Sequence, residues 1–420
     1  MTARYIQAGE LADAVTVPDA ADSSKELILS SPATVDYNSP GASGFGVKRA
    51  GLVIPGSVML LVSPRCCGRS RLLDGGAYRD RCFYLSIRQT DMVTGRYLDE
   101  IPSACAGICE CLHRKPSVIL ICSTCTDALL GTDMERICRK SEELCGTRCV
   151  PLYMNALTRE GRLPPMALAR VTAYSRLSPR KRRSRECGIV GYFSPLSDTC
   201  ELYPLLHGAG IRRIHELPRC TDFTEYEQMS AANFNIVLDT DASAAAADME
   251  KRLGIPYISL TRTYDAERVH RQYALLSDVI GAVLDDSRAH DRACEALTAL
   301  RRRCGGMRCS IGQRTGGNPF DIAVMLTAAG IEVKEIIANM GDADLPYIRR
   351  LAALSPGTRI YPSLSPSMFG FVSSGDVDIC IGTDAAYYHD EVPSLDLSAD
   401  FEPFGFDGII RLCEEMCGYA

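Results

Sequence analysis

The segment Val118–Met134 constrains the fold more than any other part of the sequence. It starts with an apolar, β-branched run, passes through a short loop that contains Cys125, and continues into a helical pattern. A short apolar run bounded in this way indicates a buried strand, and open α/β sheets bind ligands just beyond the carboxyl ends of their strands. The sequence therefore predicts an α/β sheet with Cys125 at its ligand-binding edge.

A second segment repeats this pattern earlier in the chain. Val58–Val62 is an apolar run, and the turn Ser63-Pro-Arg-Cys-Cys-Gly68 follows it with two adjacent cysteines. Two strand ends that carry cysteine in one domain are typical of a soft-metal site, and thiolates are the usual ligands of iron–sulfur clusters. Cys66 and Cys67 are both candidates for the ligand on this turn, and the sequence leaves the choice open.

Length and composition indicate a globular protein of several domains. A chain of 420 residues with 46% hydrophobic and 23% charged residues is too long for one simple core. The net charge of −6 argues against a nucleic-acid partner, and we interpret the basic run Arg176–Arg185 as an interdomain linker. No apolar run is long enough to span a membrane, and the N-terminus lacks the apolar core of a signal peptide. We therefore expect a cytoplasmic protein without a membrane partner.

Cysteine is unusually abundant and unevenly distributed. The chain contains 20 cysteines, with a concentration between Cys66 and Cys149. A secreted disulfide scaffold would be short and rich in loops, whereas this chain is long and periodic. We expect a reduced cytosol, typical of an anaerobe, in which most thiols serve as small core side chains.

Strands and helices alternate along most of the chain. This pattern predicts an α/β fold with three Rossmann-like, doubly wound parallel-sheet domains around a central cleft. One long helix over Ala266–Arg303 is expected to join the second domain to the third. The predicted boundaries are an irregular N-terminal arm over 1–50, domain I with the cluster cysteines over 51–175, domain II over 186–290, domain III over 305–400, and a C-terminal segment over 401–420 that returns to domain I.

Three motifs in domain I resemble those of the nitrogenase component 1 family, which includes nitrogenase and nitrogenase-like reductases. Ser63–Gly68 is similar to the family's Gly-Pro-x-Gly-Cys turn, and Gln89–Gly95 is similar to its Glu-x-Asp-hydrophobic-Val-x-Gly segment. The third motif is matched by Ser123, Cys125, Gly131, Asp133 and Met134. Domain II matches the family at Gly191, Asp198, Glu201, Leu202, Leu206, Gly210, Ile211, Ala232, Asn233, Leu253, Gly254, Ile255, Pro256 and Tyr257, and the segment Phe404–Arg411 is similar to its closing Tyr-x-Gly-Tyr-x-Gly motif.

The resemblance implies a subunit of a two-component reductase that is not a true nitrogenase. An ATP-dependent iron–sulfur reductase would deliver electrons to a [4Fe–4S] cluster shared across a dimer interface. Cys125 and either Cys66 or Cys67 would bind this cluster, but the family's first cysteine is absent, since Asn38 or Ser39 occupies that place. A homodimer would supply two thiolates per chain, and a heterodimer would take the missing ligands from a related subunit. A third ligand from Cys82 is a further alternative.

The substrate is not indicated by the sequence, and no catalytic residue is assigned. Nitrogenase holds its molybdenum cofactor with a cysteine and a C-terminal histidine, whereas Val392–Phe401 contains no histidine and His389 lies just before it. We therefore expect no iron–molybdenum cofactor, and family precedent suggests a small-molecule or tetrapyrrole-type substrate. A scaffold for metal-cluster or cofactor assembly, and a metal-free binding module of the same fold, are the alternatives to an enzyme.

A glycine-rich loop in domain III is the last candidate site. Gly312–Asn318 follows a predicted strand and opens a helix, which is the geometry of an anion cradle. Arg314, Gly316 and Gly317 are therefore candidate anion or substrate contacts, with a structural turn as the alternative. The loop lacks the Gly-Lys-[Ser/Thr] sequence of a nucleotide-hydrolysing loop, so we do not expect this chain to hydrolyse ATP.

Overall fold

The computed structural model describes residues 2–17, 51–64, 80–153, 163, 165–397 and 401–419. Cys66 and Cys67, as well as positions 38 and 39, lie outside the described residues. The chain divides into two compact units. The first unit contains Met1–Gly44, Ser194–Gly210 and Thr261–Ala420, and the second contains Phe45–Phe193 and Ile211–Leu260.

The second unit contains two four-stranded parallel sheets. In the first of them the strand order is β3-β2-β4-β5, and in the other it is β7-β6-β8-β9. The strands, numbered after a short N-terminal strand β1 (Ile6–Gln7), are β2 (Val58–Pro64), β3 (Cys82–Ile87), β4 (Ile119–Ser123), β5 (Cys149–Tyr153), β6 (Arg183–Val190), β7 (Arg213–Glu216), β8 (Ala232–Val237) and β9 (Tyr257–Ser259). The helices whose bounds lie wholly in the described part of this unit are α1 (Gln89–Thr94), α2 (Tyr97–Cys111), α3 (Cys125–Leu130), α4 (Met134–Cys145), α5 (Pro165–Tyr174), α7 (Phe223–Gln228) and α8 (Ser243–Leu253). Helix α6 (Leu202–Gly208) belongs to the first unit.

The central strands of the first sheet are buried on both faces. Every residue of β2 and β4 is buried. Side chains alternate between two separate cores, with Leu60 and Ile121 in one and Leu61 and Leu120 in the other. This double burial explains why these strands are continuous apolar runs in the sequence.

The first unit is built on a six-stranded sheet with the order β1-β12-β11-β10-β13-β14. All its strands are parallel except β1, which pairs antiparallel with β12. Part of the N-terminal arm, predicted to be irregular, is therefore an edge strand of this sheet. The remaining strands are β10 (Arg308–Gly312), β11 (Glu332–Ile337), β12 (Arg359–Tyr361), β13 (Ile379–Ile381) and β14 (Ser394–Leu395), and the remaining helices are α9 (Ala266–Ile280), α10 (Ser287–Cys304), α11 (Pro319–Ala328), α12 (Leu345–Leu354), α13 (Thr383–Tyr388) and α14 (Gly405–Cys417).

The single long helix expected over Ala266–Arg303 was wrong. The structure has two helices, α9 and α10, separated by a short connection. Gly281 adopts a left-handed conformation with φ of 68° and ends α9, as glycine commonly does after the last turn of a helix. The break turns the chain so that α9 and α10 pack against each other.

In the described part of the chain, two parallel sheets and one mostly parallel sheet, with flanking helices, confirm the predicted α/β class. The central cleft and the predicted domain boundaries remain predictions. The C-terminal helix α14, expected to return to domain I, packs within the first unit against α9 and α10. There Phe406 contacts Tyr273, with 5.8 Å between ring centroids, and Cys417 Sγ lies 3.9 Å from Cys304 Sγ. Within the described ranges, no helix is long and apolar enough to cross a membrane.

Candidate functional site

The strands that precede the candidate cluster cysteines are neighbours in one sheet. β2 and β4 pair in parallel, with Val58 opposite Ile119 and Leu61 opposite Cys122. β2 ends at Pro64, β4 ends at Ser123, and Cys125 begins the helix that follows β4. Cys66 and Cys67 follow Pro64 by two and three positions in the sequence. The carboxyl end of β2 therefore lies at the same edge of the sheet as the start of α3, which carries Cys125.

A buried carboxylate fixes the turn between β4 and α3. The backbone N–H of Thr124 donates to Asp127 Oδ2 at 3.3 Å, and the Tyr97 hydroxyl donates to Asp127 Oδ1 at 3.1 Å. The Tyr97 hydroxyl also lies 3.0 Å from Thr132 Oγ1. Because Cys125 is the first residue of α3, these bonds position its backbone.

Burial raises the pKa of two side chains at this turn, Tyr97 and Asp127. It raises the pKa of Tyr97 to about 12, so the hydroxyl keeps its proton and remains a donor. Burial also raises the pKa of Asp127, and the hydrogen bonds from Thr124 and Tyr97 partly oppose that rise.

Most residues of the family-like motifs have backbone roles. Gly131, at φ of 66°, ends α3 in the left-handed conformation, and Gly95, at φ of 71°, ends α1. Asp133 caps α4 by accepting a hydrogen bond of 3.0 Å from the backbone N–H of Arg136. These residues shape the turns at the sheet edge. Cys125 is then the residue of its motif whose side chain is suited to bind a metal cluster.

Cys82 lies at the opposite end of the sheet, contrary to its candidacy as a third ligand. It is the first residue of β3 and pairs with Met59, whereas Ile87 at the end of β3 pairs with Pro64. Five residues of parallel strand span about 17 Å. Cys82 therefore cannot share a cluster with Cys125, and we exclude it from the proposed ligand set.

A separate group of thiols lies between α2, α4 and β5. Cys105, Cys138 and Cys149 are buried, and Cys145 Sγ lies 4.0 Å from Cys149 Sγ. Cys149 begins β5, at the sheet edge opposite Cys125, so this group is remote from the candidate cluster site. In the part of the chain that the structure describes, no group of three or more His, Cys, Asp or Glu side chains could hold a metal ion. The buried thiols contribute to the core, as free cysteines commonly do.

The glycine-rich loop of the first unit already binds a carboxylate of the same chain. The backbone N–H groups of Gln313 and Arg314 donate to the two oxygens of Asp384 at 2.7 and 3.3 Å. Asp384 is buried, and burial raises its pKa. Sequence reasoning missed this residue, which follows strand β13 in a Gly-Thr-Asp turn that could have indicated a local acceptor.

Close packing explains the two glycines of this loop. A Cβ atom on Gly316 would lie 2.9 Å from Pro403 Cγ, and one on Gly317 would lie 2.6 Å from Tyr264 Cε2. Asn318 then caps α11 by accepting from the N–H groups of Phe320 and Asp321. A ligand contact at Arg314, Gly316 and Gly317 remains a prediction.

His389 is buried in a polar network. Its Nε2 lies 2.6 Å from Glu335 Oε1, and its Nδ1 lies 2.9 Å from Ser373 Oγ. Arg359 contacts the other oxygen of Glu335 at 3.3 Å. Both ring nitrogens of His389 are thus engaged with neighbours in the first unit.

Comparison with known proteins identifies the family. A model described as nitrogenase component 1 type oxidoreductase matches residues 43–419. The chain belongs to this family. Members of the family bind iron–sulfur clusters and work with an iron-protein partner.

Sequence relatives within this family share a common description, nitrogenase iron-molybdenum cofactor biosynthesis protein NifE. The protein from Sinorhizobium fredii is 25% identical over 80% of this chain and 71% of its own length. The proteins from Rhodobacter capsulatus and Mesorhizobium japonicum are 24% and 22% identical, and cover 79% and 92% of this chain and 76% and 82% of their own lengths.

Solved structures share the fold of this component 1 family member. Nitrogenase Cp1 at pH 6.5 superposes with a TM-score of 0.68 at 15% identity, and the match covers 94% of this chain and 95% of that one. The structure of the same protein at pH 5 gives a TM-score of 0.65. This likeness confirms the nitrogenase-like fold that the motifs indicated.

Proposed function

We propose that this chain is a subunit of a dimeric iron–sulfur protein that assembles a metal cluster or cofactor for another enzyme. The main support is that relatives covering 79 to 92% of the chain are described as cofactor biosynthesis proteins. The scaffold alternative of the sequence analysis therefore takes precedence over the reductase.

The resident cluster of this proposal is a [4Fe–4S] cluster shared between two subunits. Cys125 and either Cys66 or Cys67 fit such a group, because β2 and β4 are adjacent parallel strands that lead to one sheet edge. Thiolates are the appropriate donors for iron, and two chains would supply the four that a cubane needs. When bound, the cluster would receive single electrons from an ATP-dependent iron-protein partner.

The contacts of His389 support the view that a cofactor would be bound only transiently and passed on to another protein. Nitrogenase holds its molybdenum cofactor with a cysteine and a C-terminal histidine, and a histidine in that role needs an available ring nitrogen. His389 is buried with both nitrogens engaged, by Glu335 and Ser373. A chain that holds its cargo through few ligands can release it to an acceptor.

The test is a transfer experiment on protein purified without oxygen from cells labelled with ⁵⁵Fe. The labelled protein is incubated with an unlabelled apo-protein of nitrogenase component 1 type, and the two are separated by size and charge. We expect label to appear on the acceptor, while iron at Cys125 stays with the donor. Label that stays entirely on the donor would contradict the assembly role.

A two-component reductase is the second candidate, because the family is described as an oxidoreductase type. In that case a pre-reduced cluster would be oxidised when substrate is added, without transfer of iron. Screening small sulfur compounds and tetrapyrroles by loss of the reduced-cluster EPR signal separates the two functions. Absence of iron in a folded dimer would instead favour the metal-free binding module.

A further inference from the structure

Helix α9 of the first unit exposes apolar side chains on its outer face. Leu275 is 61% exposed and Val279 is 66% exposed, and the two residues lie one helical turn apart. The opposite face is buried, through Val269, Tyr273 and Leu276. One face of α9 therefore packs within its own unit, whereas the other is open to a further molecule.

Two opposite charges flank the centre of the exposed face. Arg271 and Asp278 are exposed, and they share this face with Leu275, since the three residues follow the spacing i, i+4 and i+7. Arg271 and Asp278 lie about 10 Å apart along the helix axis, so they do not pair with each other. Among the described residues, neither has an oppositely charged partner within salt-bridge distance. Both charges are thus available to another molecule.

The placement of these charges is self-complementary. Arg271 lies three positions before Ala274, and Asp278 lies three positions after Leu275. In an antiparallel pair of α9 helices with a two-fold axis between Ala274 and Leu275, Arg271 of each copy is level with Asp278 of the other. Leu275 of each copy is then level with Ala274 of the other. A surface that contacts its own copy in this way is the interface of a two-fold dimer.

We propose that α9 pairs antiparallel with α9 of a second copy of this chain. Two symmetric salt bridges between Arg271 and Asp278 flank the apolar contact around Leu275. A single exposed apolar residue is ordinary at a protein surface, but apolar residues on consecutive turns, beside charges with two-fold complementarity, indicate a contact surface. One pair of helices buries less than the roughly 1,200 Å² of a stable interface, so we expect an association that depends on concentration.

This contact is distinct from the cluster that the proposed function shares between subunits. Helix α9 belongs to the first unit, whereas Cys125 belongs to the second. The α9 contact uses no metal. A chain that makes both contacts therefore doubles whatever assembly the cluster forms.

The experiment measures the mass of the full chain by sedimentation equilibrium at several concentrations, on protein purified without oxygen with its iron in place. Arg271→Asp and Asp278→Arg each place like charges at both symmetric pairs, so we expect each to weaken association about 10-fold. An equimolar mixture of the two variants makes the charges complementary again. We expect association to return in that mixture and in the double variant with both changes in one chain.

A change in the apolar contact supplies a second readout. Leu275→Glu should abolish the association, and Leu354→Glu is the matched control, since Leu354 is a helical leucine of the same unit and is 51% exposed. High salt should weaken the association of the wild type, because it screens exposed charges.

Association that is unchanged in Arg271→Asp, Asp278→Arg and Leu275→Glu would overturn the proposal, and so would a mixture of the two charge variants that does not associate. Cys125→Ser, which tests the cluster, should keep the association that depends on these charges. The α9 contact and the proposed function can therefore fail separately.

Discussion

At the residue scale, buried carboxyl groups fix local structure in both units of the chain. Asp127 holds the turn that bears Cys125, through the backbone of Thr124 and the hydroxyl of Tyr97. In the first unit, Glu201 accepts hydrogen bonds from the Tyr273 hydroxyl at 2.6 Å and from the backbone of Phe406 at 2.7 Å. The sequence does not predict that Glu201 and Asp127 are buried, because their burial results from contacts distant in the chain.

Tyr97→Phe tests the support of the cysteine turn. The change removes a donor from a buried carboxylate, so we expect a loss of about 1 to 3 kcal/mol in the free energy of unfolding. Urea denaturation checks this, with Tyr419→Phe as the control, since Tyr419 is 52% exposed. Equal stability of the two variants would show that the Tyr97 hydroxyl does not hold Asp127.

Glu201→Gln tests the protonation of a buried carboxyl group. Burial raises the pKa of Glu201 in the folded chain above its unfolded value. Its pH-dependent contribution to stability is therefore present below the unfolded pKa, about 4.3, and is lost as the pH rises through the folded pKa. We expect the wild type to lose stability relative to Glu201→Gln as the pH rises from about 4, measured by denaturation at several pH values. A difference that is independent of pH would contradict this, and Glu250→Gln, on an exposed residue, is the control.

At the scale of elements, local patterns predict the strands and helices well but not their long-range relations. The apolar run Val58–Val62 lies in the buried strand β2 (Val58–Pro64), as its pattern predicts. The break after Ile280 was missed, because the helical pattern continues on both sides of Gly281 and a lone glycine is tolerated in helices. The pairing of β1 with β12 joins segments far apart in the chain, and no local pattern encodes it.

Gly405→Ala tests the start of the C-terminal helix. Gly405 has φ of 61°, and an added Cβ would lie 1.9 Å from Glu201 Oε1. Backbone strain and displacement of the carboxylate that caps α14 should lower the free energy of unfolding by about 2 to 4 kcal/mol. Gly208→Ala is the control, because its Cβ would meet nothing within 4 Å. Thermal and urea unfolding of both variants measure the difference, and equal stability would contradict the account.

At the scale of the whole molecule, the family and fold were predictable, whereas the site was only partly so. Three motifs in register predicted the family that the comparison identifies, and β2 and β4, the strands before the two cysteine-bearing segments, are parallel neighbours. The same sheet excluded Cys82, because strand direction decides which end a residue occupies. Sequence spacing alone does not fix at which end of the sheet Cys82 lies.

Substitution of the adjacent cysteines decides the ligand on the β2 turn. We expect one of Cys66→Ser and Cys67→Ser to lose most of the bound iron, and the other to retain it, because one thiolate per turn suffices in a cluster shared by two chains. Iron analysis after anaerobic purification measures this. Full iron content in both single variants would show that neither thiol is required alone.

The most direct test of the central claim is the iron and acid-labile sulfide content of the dimer purified without oxygen, compared with Cys125→Ser. We predict about two irons and two sulfides per chain in the resident cluster, with an EPR signal after dithionite reduction. Cys125→Ser should lose both the cluster and the signal while remaining folded. A folded wild-type dimer without iron, or a Cys125→Ser variant with an unchanged cluster, would contradict the account.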